Sequence, residues 1–312
     1  MTDRSFTETK KRSGTIRLSE RTWGYLFAGP AFILVGLIAL APIAAALWLS
    51  LRQQLPIFGI DEFVGAKNYL QLLGDDRFWA ACRTTLYFTA LSVSAELLLG
   101  FGFALLLNRL ADGAGRGLRW AHVMIILPWA IPTVVSAQIW AWLYQPDFGL
   151  LNYLLYAAGM TGGRIDWLAD PDWAIHAAVV MDVWKTTPFA ALLLLAGLKT
   201  VPQELYAAAR VDGAGTWEQF RRITLPLLMP VVVIVLVFRT MDAVRVFDAV
   251  FVLTGGGPGN STETLSIYAY KTLFQTLQFG YGSALATAMF VLAAMLSLLY
   301  LLLLRRHVQE SA

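Results

Sequence analysis

The chain has 312 residues, of which 57% are hydrophobic and only 14% charged, with a mean hydropathy of +0.59. That balance excludes a water-soluble globule and describes a protein that crosses a membrane several times. The net charge of +3 is no nucleic-acid footprint, because the basic residues gather at membrane edges. One cysteine, Cys82, excludes a disulfide framework and a thiolate metal site, and three scattered histidines (His122, His176, His307) form no ligand cluster for a metal.

Residues 1–22 form a polar, basic tail. The apolar run 23–51 that follows is too long for a signal-peptide core and long enough to cross a hydrocarbon layer of about 30 Å. Five more apolar runs lie at 79–107, 119–143, 174–198, 227–253 and 281–304. The chain therefore divides into the tail, one six-span membrane domain over 23–306 and a short tail at 307–312, with both termini on the same side. Fifteen lysines and arginines fall in the tails and one set of loops, against five in the opposite set. Because cytoplasmic loops collect such residues, both termini are expected in the cytoplasm.

The outer connections are 52–78, 144–173 and 254–280. Asp166, Trp167, Asp172 and Trp173 predict an interfacial aromatic belt around the start of span four. The stretch 254–262 has four glycines and a proline but lacks the lysine of a phosphate loop, so an exposed turn is expected and ATPase activity is not. Pro128 and Pro132 in span three and Pro188 in span four release backbone carbonyls and can kink their helices.

Ionisable residues at mid-span cost about 2.5–3.5 kcal/mol each on insertion scales, which makes them functional candidates. Glu96, Asp182, Lys185, Arg239 and Asp242 count to mid-depth. Asp182 with Lys185, and Arg239 with Asp242, are three apart and so share a helix face where they can pair. Arg245 and Asp248 continue that series on span five, and for them internal pairing is an equal alternative. Glu96 is either a pathway group or a buried partner for a neighbouring helix.

Between spans four and five lies a polar island, 199–226. Thr200 with Gln203 and Thr216 with Gln219 fit the capping-box pattern, and Gly213 separates the two short helices they predict. Trp217, Phe220 and Ile223 give the second helix an apolar stripe, and Pro226 suits the first turn of span five.

This island resembles the coupling loop of permease subunits of ABC importers, E-A-A-x3-G-x9-I-x-L-P. Ala208, Ala209, Gly213, Ile223, Leu225 and Pro226 match it, while Ala207 stands where the family has glutamate. The flanking runs WKTTPF (184–189), VLTGGGPGNSTE (252–263) and FVGAKNYLQLL (63–73) resemble the sugar-uptake branch, so the likeness covers nearly the whole chain. The resemblance implies an all-α bundle of six transmembrane helices with a cytoplasmic helix-turn-helix, the type I importer permease fold, in a bacterial inner membrane.

The resemblance also implies partners and sites. A second permease, two ATP-binding cassette ATPase subunits and an extracytoplasmic binding protein are expected, with ATP and magnesium held by the ATPase and no cofactor or metal in this chain. Contact with the ATPase would come from Glu204, Ala207, Ala208, Asp212, Gly213, Ala214 and Trp217, with Glu204 substituting for the missing glutamate. Substrate contacts would come from Asp182, Lys185, Thr186, Phe189, Arg239, Asp242, Ala243 and Val246, with Phe189 stacking on a sugar face. An ion-coupled secondary transporter is the alternative, opposed by the coupling island and the absence of an evident inverted repeat. A membrane-bound enzyme would need a catalytic constellation, and the sequence has none.

Overall fold

Two of the six apolar runs are broken, and the breaks position the site. The computed structural model describes residues 19–111 and 116–310; most of the expected basic tail, and residues 311–312, lie outside them. Helix α1 (Glu20–Ser50) carries the first run, and its portion up to Ala46 forms a compact unit of its own. Its 31 residues rise about 1.5 Å each, ample to cross a bilayer.

The second unit begins at Leu47. The connection after α1 adds one small hairpin to the helical chain: β1 (Arg52–Leu55) pairs antiparallel with β2 (Ile60–Phe63), Arg52 opposite Phe63. A short turn over Pro56–Phe58 joins them and closes on Gly59 at φ +66°, the left-handed region that glycine tolerates. Asn68, in α2 (Lys67–Leu73), donates to the carbonyls of Ser50 and Arg52 at 2.8 and 2.9 Å and so anchors the hairpin.

Helix α3 (Asp76–Ala111) forms the second span. The third is a bent pair, α4 (Arg116–Ala130) and α5 (Thr133–Leu143), turning by 103° at Ile131 and Pro132. Pro132 lacks an amide proton and biases Ile131 away from helical geometry, so the helix ends there and restarts at Thr133. After α6 (Leu150–Ala157), α7 (Pro171–Leu198) begins where Asp170 caps the amide of Asp172, with Pro171 in the first turn.

Helix α7 is the centre of the bundle. Ala174, Ala177, Ala178, Met181, Ala190, Ala191 and Leu194 are all buried, and small side chains let neighbouring helices approach closely. A Cβ on Gly100 of α3 would meet the Ala190 side chain at 2.9 Å, and one on Gly197 would meet Leu228 at 2.7 Å.

The polar island folds as α8 (Gln203–Val211) and α9 (Thr216–Gln219). Gly213 separates them at φ +81°, as its type predicts. Neither predicted capping box forms. The Thr200 hydroxyl turns back to the Gly197 carbonyl at 2.8 Å, and Pro202 occupies the cap position of α8 without a side-chain bond. Gln219 reaches back, but its amide donates to the Ala214 carbonyl at 2.8 Å. Moreover, α9 runs through a π turn at Phe220–Thr224 straight into α10 (Leu225–Val244), so the second coupling helix and span five are continuous. The wider turn accommodates Pro226, which has no amide to give the preceding turn.

The fifth run breaks too. Helix α10 ends at Val244 and α11 (Asp248–Leu253) starts after three residues, so Arg245 and Asp248 do not continue the α10 face. Helix α12 (Leu265–Tyr270) and a π turn at Lys271–Gln275 lead to α13 (Phe279–Glu310). This last helix runs through the start of the short tail expected from residue 307. Among the described residues five helices are long and apolar enough to cross a membrane, or six with the bent pair as one span.

Candidate functional site

The break between α10 and α11 opens a cleft. Its lining is Thr133 at the start of α5, Asp182, Lys185 and Thr186 of α7, and the run Asp242–Ala249 save Val244. Its empty space is about 540 Å³, part of it open to solvent. Six of the eight residues expected to touch substrate line it: Asp182, Lys185, Thr186, Asp242, Ala243 and Val246.

The other two do not. Arg239 is buried behind the lining, its guanidinium held by three carboxylates. Its Nε and Nη2 donate to Glu96, the second at 2.8 Å, Nη2 also lies 3.3 Å from Asp182, and Nη1 donates to Asp242 at 2.6 Å. The Thr186 hydroxyl lies 2.6 Å from both Glu96 Oε1 and the Asp182 carbonyl. Phe189 packs between Trp129 and Phe238, with ring centroids 6.1 and 6.3 Å away. The aromatic side chain that does line the cleft is Phe247.

Two pairings therefore change. Arg239 and Asp242 pair as their spacing predicts, but Asp182 pairs with Arg239 rather than with Lys185. The reason is reach: the guanidinium offers five donors and satisfies several carboxylates at once, whereas an ammonium is a single point charge. Glu96 is the buried partner of a neighbouring helix, and it joins α3 to α10. Thr133, Phe247 and Ala249 have no local signal in the sequence, since two helix breaks bring them to the cleft.

A second polar network lies at the hairpin end of the bundle. Glu263 accepts from Arg77 at 2.7 and 2.9 Å and from Lys271 at 2.8 Å. Burial pushes its carboxyl up, but the two cations outweigh that and hold it below its ordinary range. Burial, then the hydrogen bond to Asp75 at 2.6 Å, pushes the Tyr268 phenol up to about 12. This network fastens the glycine-rich 254–262 turn, where Gly255, Gly256 and Gly259 all adopt positive φ.

The coupling residues stand at the opposite end. No residue of α8 or α9 is buried; Glu204, Ala207, Ala208, Asp212, Gly213 and Trp217 are exposed, and Ala214 is half-buried. Trp217 stacks on Phe220 at 5.6 Å, and Phe220 meets Phe101 of α3 edge-on at 6.1 Å. A bond between the Tyr206 and Thr224 hydroxyls, 2.9 Å apart, ties α8 to the foot of α10. A rigid exposed elbow is thus fused to the helix that ends at the cleft.

A polytopic bundle with a polar cleft inside it and an exposed elbow at one end is the architecture of a membrane permease. Residues 96–309 match the family described as the binding-protein-dependent transport system inner membrane component, and the chain belongs to that family. It is 41% identical to the trehalose/maltose transport system permease protein MalF of Thermococcus litoralis, covering 92% of this chain and 95% of that one. It is 39% identical to the sulfoquinovosyl glycerol transport system permease protein SmoG of Agrobacterium fabrum, over 92% of each. Among solved structures it matches a bacterial ABC transporter involved in the import of the acidic polysaccharide alginate, with a TM-score of 0.76 and 25% identity. That match covers 92% of this chain and 96% of the other. The chain is a transmembrane permease subunit of an ABC importer, with the type I importer fold, and the ion-coupled alternative gives way to this assignment. Its family is one of transport subunits and not a known class of enzyme.

Proposed function

We propose that the chain forms half of the translocation pathway of an ATP-driven sugar or glycoside importer in a bacterial inner membrane, with both termini in the cytoplasm. The carrying observation is the cleft at the α10–α11 break, where carboxylates, hydroxyls, amines and one aromatic ring meet inside an apolar bundle. Such groups suit the hydroxyls and the apolar faces of a sugar. The names of its relatives, transporters of trehalose, maltose and a sulfoquinovosyl glycoside, support the same substrate class.

In this reading α8 and α9 dock on a separate ATPase that holds ATP and magnesium. A second permease completes the pathway, and a binding protein delivers substrate at the hairpin end. Glu204 opens α8 one turn before Ala207 and supplies the acidic contact that Ala207 lacks. Reconstitution with the partner subunits tests this. Uptake should require ATP on the α8 side, and cysteines introduced at 206 and 217 should crosslink to the ATPase. Uptake driven by a proton or sodium gradient without ATP would refute the proposal.

A further inference from the structure

Between the elbow and the foot of the bundle lies a second opening, which the transport reading does not use. Its empty space is about 1310 Å³, part of it open to solvent. Leu105 and Arg109 line it from the last turns of α3, and Leu198 from the end of α7. Two spans finish there, so the opening sits where hydrocarbon gives way to headgroups. Its other side is the face of α8 that carries Gln203, Tyr206 and Arg210, with Phe220 beyond. Glu204, Ala207 and Ala208, expected at the ATPase, fall roughly a third of a turn away on the same helix. The two sets share only Trp217.

Two arginines line this opening and no carboxylate does. Arg210 donates its Nε to the Tyr206 carbonyl at 3.2 Å, and its two Nη groups have no partner among the described residues. The acids of the elbow are engaged or turned elsewhere. Glu218 lies 3.2 Å from Arg222, Glu204 is on the other face of α8, and Asp212 ends that helix. Even a carboxylate from Asp112, outside the described residues, would neutralise Arg109 alone and leave the opening positive.

We propose that this opening seats the headgroup of an anionic phospholipid from the cytoplasmic leaflet, with Arg109 and Arg210 on its phosphate. The inference goes beyond the transport reading and takes from it only the cytoplasmic side of the elbow. A guanidinium presents paired donors that match phosphate oxygens. Basic pockets at the cytoplasmic ends of membrane helices suit such headgroups, and tryptophan suits the same interfacial layer. Leu105, Leu198 and Phe220 give the first acyl carbons an apolar wall, which a soluble phosphate has no need of. A lipid held this way ties α8 to the feet of α3 and α7 and braces the elbow.

The site can be read with a single thiol in this chain. In a Cys82→Ala background, Thr216→Cys lines the opening, and Val211→Cys lies on α8 outside it, at a position 89% exposed. The full chain, assembled with its partner subunits, is placed in nanodiscs of phosphatidylcholine, alone or mixed equally with phosphatidylglycerol. Modification by an uncharged maleimide is followed on this chain. Phosphatidylglycerol should slow the thiol at 216 about tenfold and leave the one at 211 unchanged. Zwitterionic phosphatidylethanolamine should not replace it. Arg109→Gln with Arg210→Gln should abolish the slowing, and Arg109→Lys with Arg210→Lys should keep most of it. If the double glutamine change does not assemble, Arg210→Gln alone should lose most of the slowing.

A rate at 216 that phosphatidylglycerol leaves unchanged, or equal slowing at both thiols, overturns the proposal whatever becomes of the arginine variants. Slowing that survives removal of the guanidinium groups overturns it as well. If glycerol 3-phosphate in phosphatidylcholine discs slows the thiol as much as phosphatidylglycerol does, the opening takes a soluble phosphate and the lipid is refuted. No arm measures transport, so the importer reading stands or falls separately.

Discussion

Two charge networks hold this bundle, and they are opposites in composition and surroundings. In the Arg239 cluster one cation sits among three carboxylates, and the Arg239 and Glu96 side chains are only 5% and 1% exposed. In the Glu263 network one carboxylate sits between two cations, and the Arg77 side chain is 44% exposed. Both join segments far apart in the chain. The Glu263 network needs nothing more than its own three charges to pin the 254–262 turn. The Arg239 cluster borders a cleft, because two of its carboxylates, Asp182 and Asp242, also line the opening.

The two networks should fail differently. Glu96→Ala leaves a buried guanidinium with one partner at 3.3 Å and another at the solvent rim, and should destabilise the assembled protein by about 3–5 kcal/mol. Thermal unfolding of the solubilised complex reads this directly. Glu263→Ala strands two cations that can reach water, so the loss should be smaller, about 1–3 kcal/mol. A larger loss from Glu263→Ala than from Glu96→Ala would undo the comparison.

Acid sharpens it. The Glu263 carboxyl is held below its ordinary value, so its contribution is complete above the normal glutamate range and is lost as pH falls through the depressed value. Thermal stability should therefore decline on acidification below about pH 4.5, where an unperturbed glutamate titrates. Glu263→Gln should flatten that part of the profile, and an unchanged slope in the variant would assign the acid sensitivity elsewhere.

The smallest expected effect lies at the exposed elbow. Glu204 has no ion-pair partner among the described residues, and an exposed pair with the ATPase would contribute only about 0–1 kcal/mol. Glu204→Ala should weaken co-purification of the ATPase slightly and leave the fold unchanged. Complete loss of the complex would show that the interface buries this carboxylate.

Much of this architecture is legible in the sequence, because apolar runs and basic loops are local signals. The spans and Gly213 follow from composition and residue type alone. The bend of span three is half legible: Pro132 forecasts a break but not an angle of 103°. The break after Val244 has no proline or glycine behind it. There the Val246 carbonyl accepts from the hydroxyls of Thr264 and Ser266, about twenty residues downstream, which replace the helical bond it forgoes. The importance of Glu96 is hidden for the same reason, since its cation lies 143 residues further along. Spacing within one helix suggested Asp182 with Lys185, but a longer side chain on another helix took the carboxylate.

That four-membered cluster also dictates how the pathway can be tested. Neutralising Arg239 with Asp242 would leave Glu96 and Asp182 buried without their cation, so failure of that variant would report misfolding rather than transport. Filling the cleft avoids the problem. Val246 is half-buried in the lining and takes no part in the cluster, and Val246→Trp would occupy the opening with an indole. Ile234→Trp, on an exposed face of α10, serves as the control. In the reconstituted importer, the cleft as substrate path predicts that Val246→Trp assembles and keeps basal ATP hydrolysis but loses uptake, while Ile234→Trp transports normally. Uptake at the wild-type rate by an assembled Val246→Trp importer would contradict that account.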